Sequence, residues 1–151
     1  MPQDFNKAFR LLNEALDLDV NNAVAMEKLA IDYERGWGTP PDPKKAFSLT
    51  KRAVDLGNVN ALGNLGVYYM TGLGLGGHKD PRMAAALFRQ GADKNNAACM
   101  FFYANCLYEG VPGTPANHAE AVGYYRAAAA RGFPPAREWC RRNNVSIAGG
   151  E

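Results

Sequence analysis

The stretch NALGNLGVYYMTGLGLGGHKDPRMAAALFRQGADKN, residues 60–95, holds one complete structural unit, and the rest of the chain is a set of edited copies of it. Ala61, Leu65, Gly66 and Tyr69 follow a helical spacing that Gly72-Leu73-Gly74 stops. Asp80-Pro81 then opens a second helix, with Asp80 as N-cap and Pro81 at the first helical position, where its missing N–H costs nothing. Ala84, Leu87, Phe88, Gly91 and Ala92 carry that helix to Asn95. An alanine four residues after a helix-opening Asp or Asn recurs at Ala8, Ala46, Ala84 and Ala121, with spacings of 38, 38 and 37 positions. The stop glycines Gly36, Gly72 and Gly110 keep a similar period, and eleven positions before them stand Ala25, Ala61 and Cys99, a series that Ala136 continues. The pattern predicts an all-α solenoid of antiparallel helix pairs with no strand. It reads as a lone capping second helix over 4–20, full repeats over 23–57, 60–95 and 97–132, and a short first helix over 135–142. That amounts to about seven helices in one domain, 1–143, followed by a flexible tail over 144–151.

Composition narrows the function. Units of this size cannot bury an apolar face alone, and about three or more must stack to be stable, which 151 residues just supply. A net charge of +2, from 17 basic and 15 acidic residues, gives no field for nucleic acid. Apolar runs fall well short of the ~18 residues of a membrane span. Asp4, Lys7, Arg10, Glu14 and Asp17 interrupt any signal-peptide core, so a cytoplasmic location is expected. Cys99 and Cys106, seven residues or roughly 10 Å apart on one helix, are too distant for a disulfide. With Cys140 they read as reduced, small apolar filler.

Small residues recur where paired helices would touch: Ala53, Gly91 and Ala128 align, as do Val54, Ala92 and Ala129. Ala61, Leu65-Gly66, Tyr69, Gly72-Leu73-Gly74, Asp80, Ala84 and Ala92, together with Tyr124-Tyr125, Ala128-Ala129 and Gly132, resemble the Sel-1-like repeat, a relative of the tetratricopeptide repeat. Tyr103 in a leucine position, Leu107 in a tyrosine position and Val111-Pro112-Gly113 after Gly110 depart from it. The resemblance implies a right-handed solenoid whose first helices line a concave face. It also implies a non-enzymatic adaptor for another protein or peptide, with some bacterial members being immunity or virulence-associated proteins. The second helices contain no cysteine, unlike the disulfide-braced secreted branch.

Gly72 to Gly77 formally matches G-x-G-x-x-G, but a dinucleotide site needs a strand before the glycines and here a helix pattern precedes them. His78 and His118 lie in predicted loops without metal-ligand spacing and read as solvated. Asp80 is explained as an N-cap and Ser48 has no base in view, so no catalytic, metal or cofactor residue is assigned. The positions left over lie on the first helices: Lys28, Asn64, Val67, Phe101, Phe102, Asn105 and Trp139. By the resemblance they face the groove and would bind a partner protein. Two adjacent phenylalanines cannot enter one helix interface together, so packing under the next helix and exposure in the groove compete for Phe101 and Phe102. Trp139 is divided between the groove and covering the open end of the stack. Asn64 is similar to the asparagine of carboxylate-clamp grooves, but Glu27 and Ile31 stand where the clamp's lysines would be. Phe102→Ala or Asn64→Ala is expected to weaken binding and leave stability unchanged, whereas Lys51 and Arg89 on the second helices should do neither. A narrower variant is immunity to one bacterial effector; an enzyme with a surface site is the competing class. Oligomeric state is left open.

Overall fold

In the computed structural model, which describes residues 4–147, an Asp or Asn side chain opens seven helices by accepting the backbone N–H three residues on. The pairs are Asp4–Lys7, Asn22–Ala25, Asp42–Lys45, Asn58–Ala61, Asp80–Met83, Asn96–Cys99 and Asn117–Glu120, at 2.9 to 3.2 Å. Each cap satisfies one orphan donor and contributes ~1 kcal/mol. The helices are α1 (Phe5–Leu18), α2 (Ala23–Arg35), α3 (Pro43–Asp55), α4 (Val59–Thr71), α5 (Pro81–Asp93), α6 (Ala97–Glu109), α7 (His118–Ala130) and α8 (Pro134–Arg142). Eight replace the seven counted from the pattern, because a leading helix, three pairs and a closing helix make eight. Among the described residues there is no strand; a single bridge joins Val111 to Thr114 in the loop after α6. Gly110 leaves that helix with an extended ψ of 124°, where Gly36 and Gly72 are left-handed, which explains the departure at Val111-Pro112-Gly113. The expected tail is non-helical over 145–147, and residues 148–151 lie outside the described residues.

The chain divides into two compact units, Met1–Lys79 and Asp80–Glu151. In the first, Met26, Ala53 and Ala61 are fully buried and Leu16, Leu49 and Val54 pack against them. α1 is held to α2 and to the loop after it by aromatic contacts: Phe9 meets Tyr33 of α2 edge-on at 5.4 Å, and Phe5 stacks on Trp37 of the loop at 4.7 Å. The second glycine of each Gly-x-Gly lies where the loop backbone presses on an earlier helix. A Cβ on Gly38 would stand 2.5 Å from the Phe5 carbonyl oxygen, and one on Gly74 would stand 2.6 Å from that of Pro43. Close packing accounts for these glycines.

In the second unit, Ala121, Ala128, Ala129 and Ala136 are fully buried, so helix axes approach with almost no side chain between them. The turns between a second helix and the next first helix are equally economical. Gly57 donates its N–H to Val54 and Asn58 donates to Ala53, both at 2.9 Å, closing α3 in a Schellman motif. The Asn58 side chain then caps α4. Asn95, at φ 65°, and Asn96 do the same between α5 and α6. Between α7 and α8 the third residue is Phe133, which has no capping atom; Pro134 and Pro135 follow, and their missing N–H groups remove donors that would need a cap.

Four residues before their stop glycines stand Asp32, Tyr68 and Cys106, all buried. Tyr68 donates its hydroxyl to Glu34 at 3.2 Å. Asp32 has one buried carboxylate oxygen without a hydrogen-bond partner among the described residues, and burial raises its pKa above 3.8. The ionised form is therefore favoured in the unfolded chain. This group's penalty is absent below the unfolded pKa, grows as pH rises towards the folded pKa, and is complete above it. Asp32→Asn should raise the thermal midpoint at pH 7, with the gain shrinking at pH 4. Urea titration should likewise separate two glycines: Gly123→Ala, in open space within α7, is expected to stabilise by ~0.5–1 kcal/mol. Gly74→Ala, at φ 79° against backbone, should destabilise by more than that.

Candidate functional site

The first-helix residues singled out in the sequence fall in different units, each with its own surroundings. In the first unit, Lys28 on α2 is exposed. Asn64 on α4 is half-buried, and its amide makes no hydrogen bond among the described residues. Val67, one turn on, forms part of the wall of a concavity of about 720 Å³ with Glu34, Thr71 and Leu73.

In the second unit the adjacent phenylalanines take different neighbours while meeting each other edge-on at 5.8 Å. Phe102 packs on Phe88 of α5 at 5.1 Å, whereas Phe101 meets Tyr125 of α7 at 5.6 Å and Phe133 at 5.5 Å. Both stay half-buried, so packing and partial exposure coexist. Phe102→Ala therefore removes a packed ring and is not a clean probe of binding. Trp139 stacks on Tyr125 at 3.8 Å and meets Tyr108 edge-on at 5.9 Å. Asn105 accepts the Tyr125 hydroxyl with its side-chain oxygen; its NH2 group has no acceptor among the described residues. Burial pushes the Tyr125 hydroxyl up to about 12, so it remains a donor at neutral pH. The result is a half-exposed aromatic strip on α6 and α8 with a spare amide in it. His118, expected to be solvated, is exposed but engaged: it stacks on Tyr108 at 4.4 Å, and its Nε2 lies 2.9 Å from the Tyr108 carbonyl oxygen. That oxygen only accepts, so Nε2 carries the proton.

One feature on the second-helix side was not foreseen. A groove of about 630 Å³ runs between α5 and the 113–117 loop leading into α7, over Tyr103 and Leu107 of α6. Arg82 and Arg89 stand on one wall and Glu120 on the other. None of the three has an ion-pair partner within 4.0 Å among the described residues. Burial raises the Tyr103 hydroxyl pKa, with Arg89 opposing the rise and Glu120 adding to it. The corresponding groove of the first unit, between α1 and α3, holds about 210 Å³. There Lys45 covers Tyr33 at 5.3 Å, and Leu16 and Leu49 occupy the walls. A sequence signal existed: where α1 and α3 carry Phe9 and Phe47, the same register in α5 carries Ala85.

No group of three His, Cys, Asp or Glu residues able to hold a metal ion occurs among the described residues. No helix there is long and apolar enough to cross a membrane. The three cysteines are free and buried, and burial pushes the Cys99 and Cys106 thiols up to about 11. They are packing groups without nucleophilic activation.

These features define a class: an all-α solenoid of antiparallel helix pairs with half-exposed side chains on its first helices. Within that class the chain belongs to the Sel1 repeat family, whose pattern matches residues 1–20, 23–58, 59–96 and 97–133. Sel1 repeats are protein-interaction modules. A Sel1 repeat protein from Oxalobacter formigenes is similar at 27% identity and TM-score 0.79, over 87% of this chain and 50% of its own. The Escherichia coli protein c5321, a protective antigen of uropathogenic strains with an SLR fold, is similar at 22% identity and TM-score 0.78, over 88% of this chain and 28% of its own. Immunity protein Pa5087 of Pseudomonas aeruginosa shows 20% identity and TM-score 0.50, over 90% of this chain and 62% of its own. This chain thus spans between about a quarter and two thirds of those proteins. No protein of curated function matches it in sequence.

If the thiols are packing groups, a maleimide probe should label Cys99 and Cys106 only after denaturation, and a reducing agent should leave the thermal midpoint unchanged. Rapid labelling of the native protein would show an accessible thiolate instead.

Proposed function

We propose that this chain is a non-enzymatic interaction module that holds a segment of a partner protein against its first helices. The observation that carries this reading is the pairing of unsatisfied amides with half-exposed apolar groups: Asn64 beside Val67, and Asn105 beside Phe101, Phe102 and Trp139. Amides left without partners at half-buried positions can bond a peptide backbone, and neighbouring aromatic surface supplies the affinity. Lys28 extends the same face with a positive charge. A chain that neutralises one bacterial effector would use the same chemistry. The likeness to Pa5087 concerns the fold alone and does not separate that variant from a general adaptor. A cytoplasmic setting fits such a role and is part of the proposal.

The test uses the protein captured by the wild-type chain, purified and titrated against variants. Asn64→Ala, whose side chain bonds nothing within the described residues, should weaken binding about tenfold with an unchanged melting temperature, as loss of an interface anchor does. Arg89→Ala, in the second-helix groove, should bind like wild type. If Arg89→Ala abolishes binding while Asn64→Ala does not, the partner occupies the groove between second helices and the first-helix reading fails.

A further inference from the structure

The two second-helix grooves share a register and differ in chemistry. Four positions line both: Asn13, Leu29, Tyr33 and Lys45 in the first unit correspond to Arg89, Tyr103, Leu107 and Glu120 in the second. In the first groove the polar groups are engaged. The Asn13 amide donates to the Phe9 carbonyl at 2.9 Å, and the Lys45 ammonium covers the Tyr33 ring. In the second groove the ring under the cation is replaced by Leu107, the cation by the Glu120 carboxylate, and Ala85 stands where α1 carries Phe9. The volume is about 630 Å³ against about 210 Å³.

The groups around the enlarged space are charged and lack counter-ions. Arg82, Arg89 and Asp93 follow one another along a single face of α5, seven and four residues apart, and all three are exposed. None of them makes a hydrogen bond or ion pair among the described residues. Glu120 faces them across the groove; the Asn117 amide donates to its Oε2 at 3.2 Å, but no cation among the described residues lies within 4.0 Å of it. The loop seats Arg82: a Cβ on Gly113 would stand 2.7 Å from its Nη1, so glycine leaves the guanidinium its place. On the floor, the Tyr103 hydroxyl makes no hydrogen bond among the described residues, and burial raises its pKa, so it is a donor at neutral pH.

Charge and shape together define the guest. A uniform polyanion would be repelled by Glu120 and Asp93, and a polycation by Arg82 and Arg89, so complementarity requires both signs in one ligand. The α5 wall runs ~16 Å from Arg82 to Asp93 at the helical rise, the length of about five extended residues. An extended chain also sends successive side chains to opposite sides, one towards each wall. We propose that this groove binds an extended segment of a partner protein whose acidic side chains meet Arg82 and Arg89 and whose basic side chains meet Glu120 opposite and Asp93 at the end. Ala85 leaves room for the backbone of the segment, and the Tyr103 hydroxyl donates to it. The site is separate from the first-helix face, and each stands or falls without the other.

Fluorescence anisotropy of the full chain with a labelled peptide, Glu-Lys-Glu-Ala-Lys blocked at both ends, tests it. At low salt the peptide should bind with a dissociation constant of about 100 μM, and several-fold more weakly at about 500 mM salt, because screened charges carry the contact. The charge-inverted peptide Lys-Glu-Lys-Ala-Glu has the same composition and should bind about tenfold more weakly or worse. Arg82→Glu with Arg89→Glu should remove binding of the first peptide. Inverting all four groove charges, by Arg82→Glu, Arg89→Glu, Asp93→Lys and Glu120→Lys together, should make the inverted peptide the better ligand, an outcome that misfolding does not produce. Asn64→Ala should leave the peptide affinity unchanged. No binding at about 1 mM peptide, or equal affinity for the two peptides, would overturn the site. Penta-glutamate binding as tightly as the first peptide would reduce it to a plain anion site, and loss of peptide binding on Asn64→Ala would move the peptide to the first-helix face; either result also defeats the proposal.

Discussion

Two helix axes come close only where almost nothing stands between them, and in this fold that condition is met by alanine. Ala46, Ala53 and Ala61 in the first unit, and Ala121, Ala128 and Ala136 in the second, have no exposed surface. Close approach at these points sets how far the larger side chains must reach, and those chains fill what remains: Met26 and Leu29 in one unit, Tyr103 and Tyr125 in the other. Bulk at an alanine position would push a pair apart and unseat every neighbour along it. Bulk elsewhere is negotiable, which is how one register can hold an aspartate, a tyrosine and a cysteine.

That tolerance explains what could be read in advance. The alanine period, the Asp-Pro starts and the glycine stops are written in single residues, so the existence and order of the helices were legible. The caps of the first helices, Asn22, Asn58 and Asn96, were equally present in the sequence. They are less conspicuous because no proline follows them, and the repeat pattern does not include them. The directions of Phe101 and Phe102 were legible as a constraint, since neighbours on a helix cannot share an interface. Which ring faces α5 and which faces α7 depends on the packing of three helices at once.

The second-helix groove was hidden for a related reason. Its openness depends on what is missing: Ala85 where a phenylalanine could stand, and Leu107 where α2 has Tyr33 under the Lys45 ammonium. A pattern built from what recurs takes no account of vacated volume. His118 shows the same limit from the other side. Its exposure follows from its place at the start of α7, but its stacking on Tyr108, ten residues earlier, follows from the turn that begins at Gly110.

The junctions at 56–58, 94–96 and 131–133 differ in kind from the glycine loops. At Asn58 and Asn96 the backbone N–H finishes one helix while the side chain starts the next, so both helices depend on one residue. An extra residue there would separate the two duties and shift the phase of everything downstream, much as an inserted base shifts a reading frame. From stop glycine to the next helix-opening residue the other loops run from Gly36 to Asp42, Gly72 to Asp80 and Gly110 to Asn117, three different lengths on one scaffold. Modules of this chain can therefore be lengthened, spliced or exchanged through the glycine loops, while the asparagine junctions hold the count.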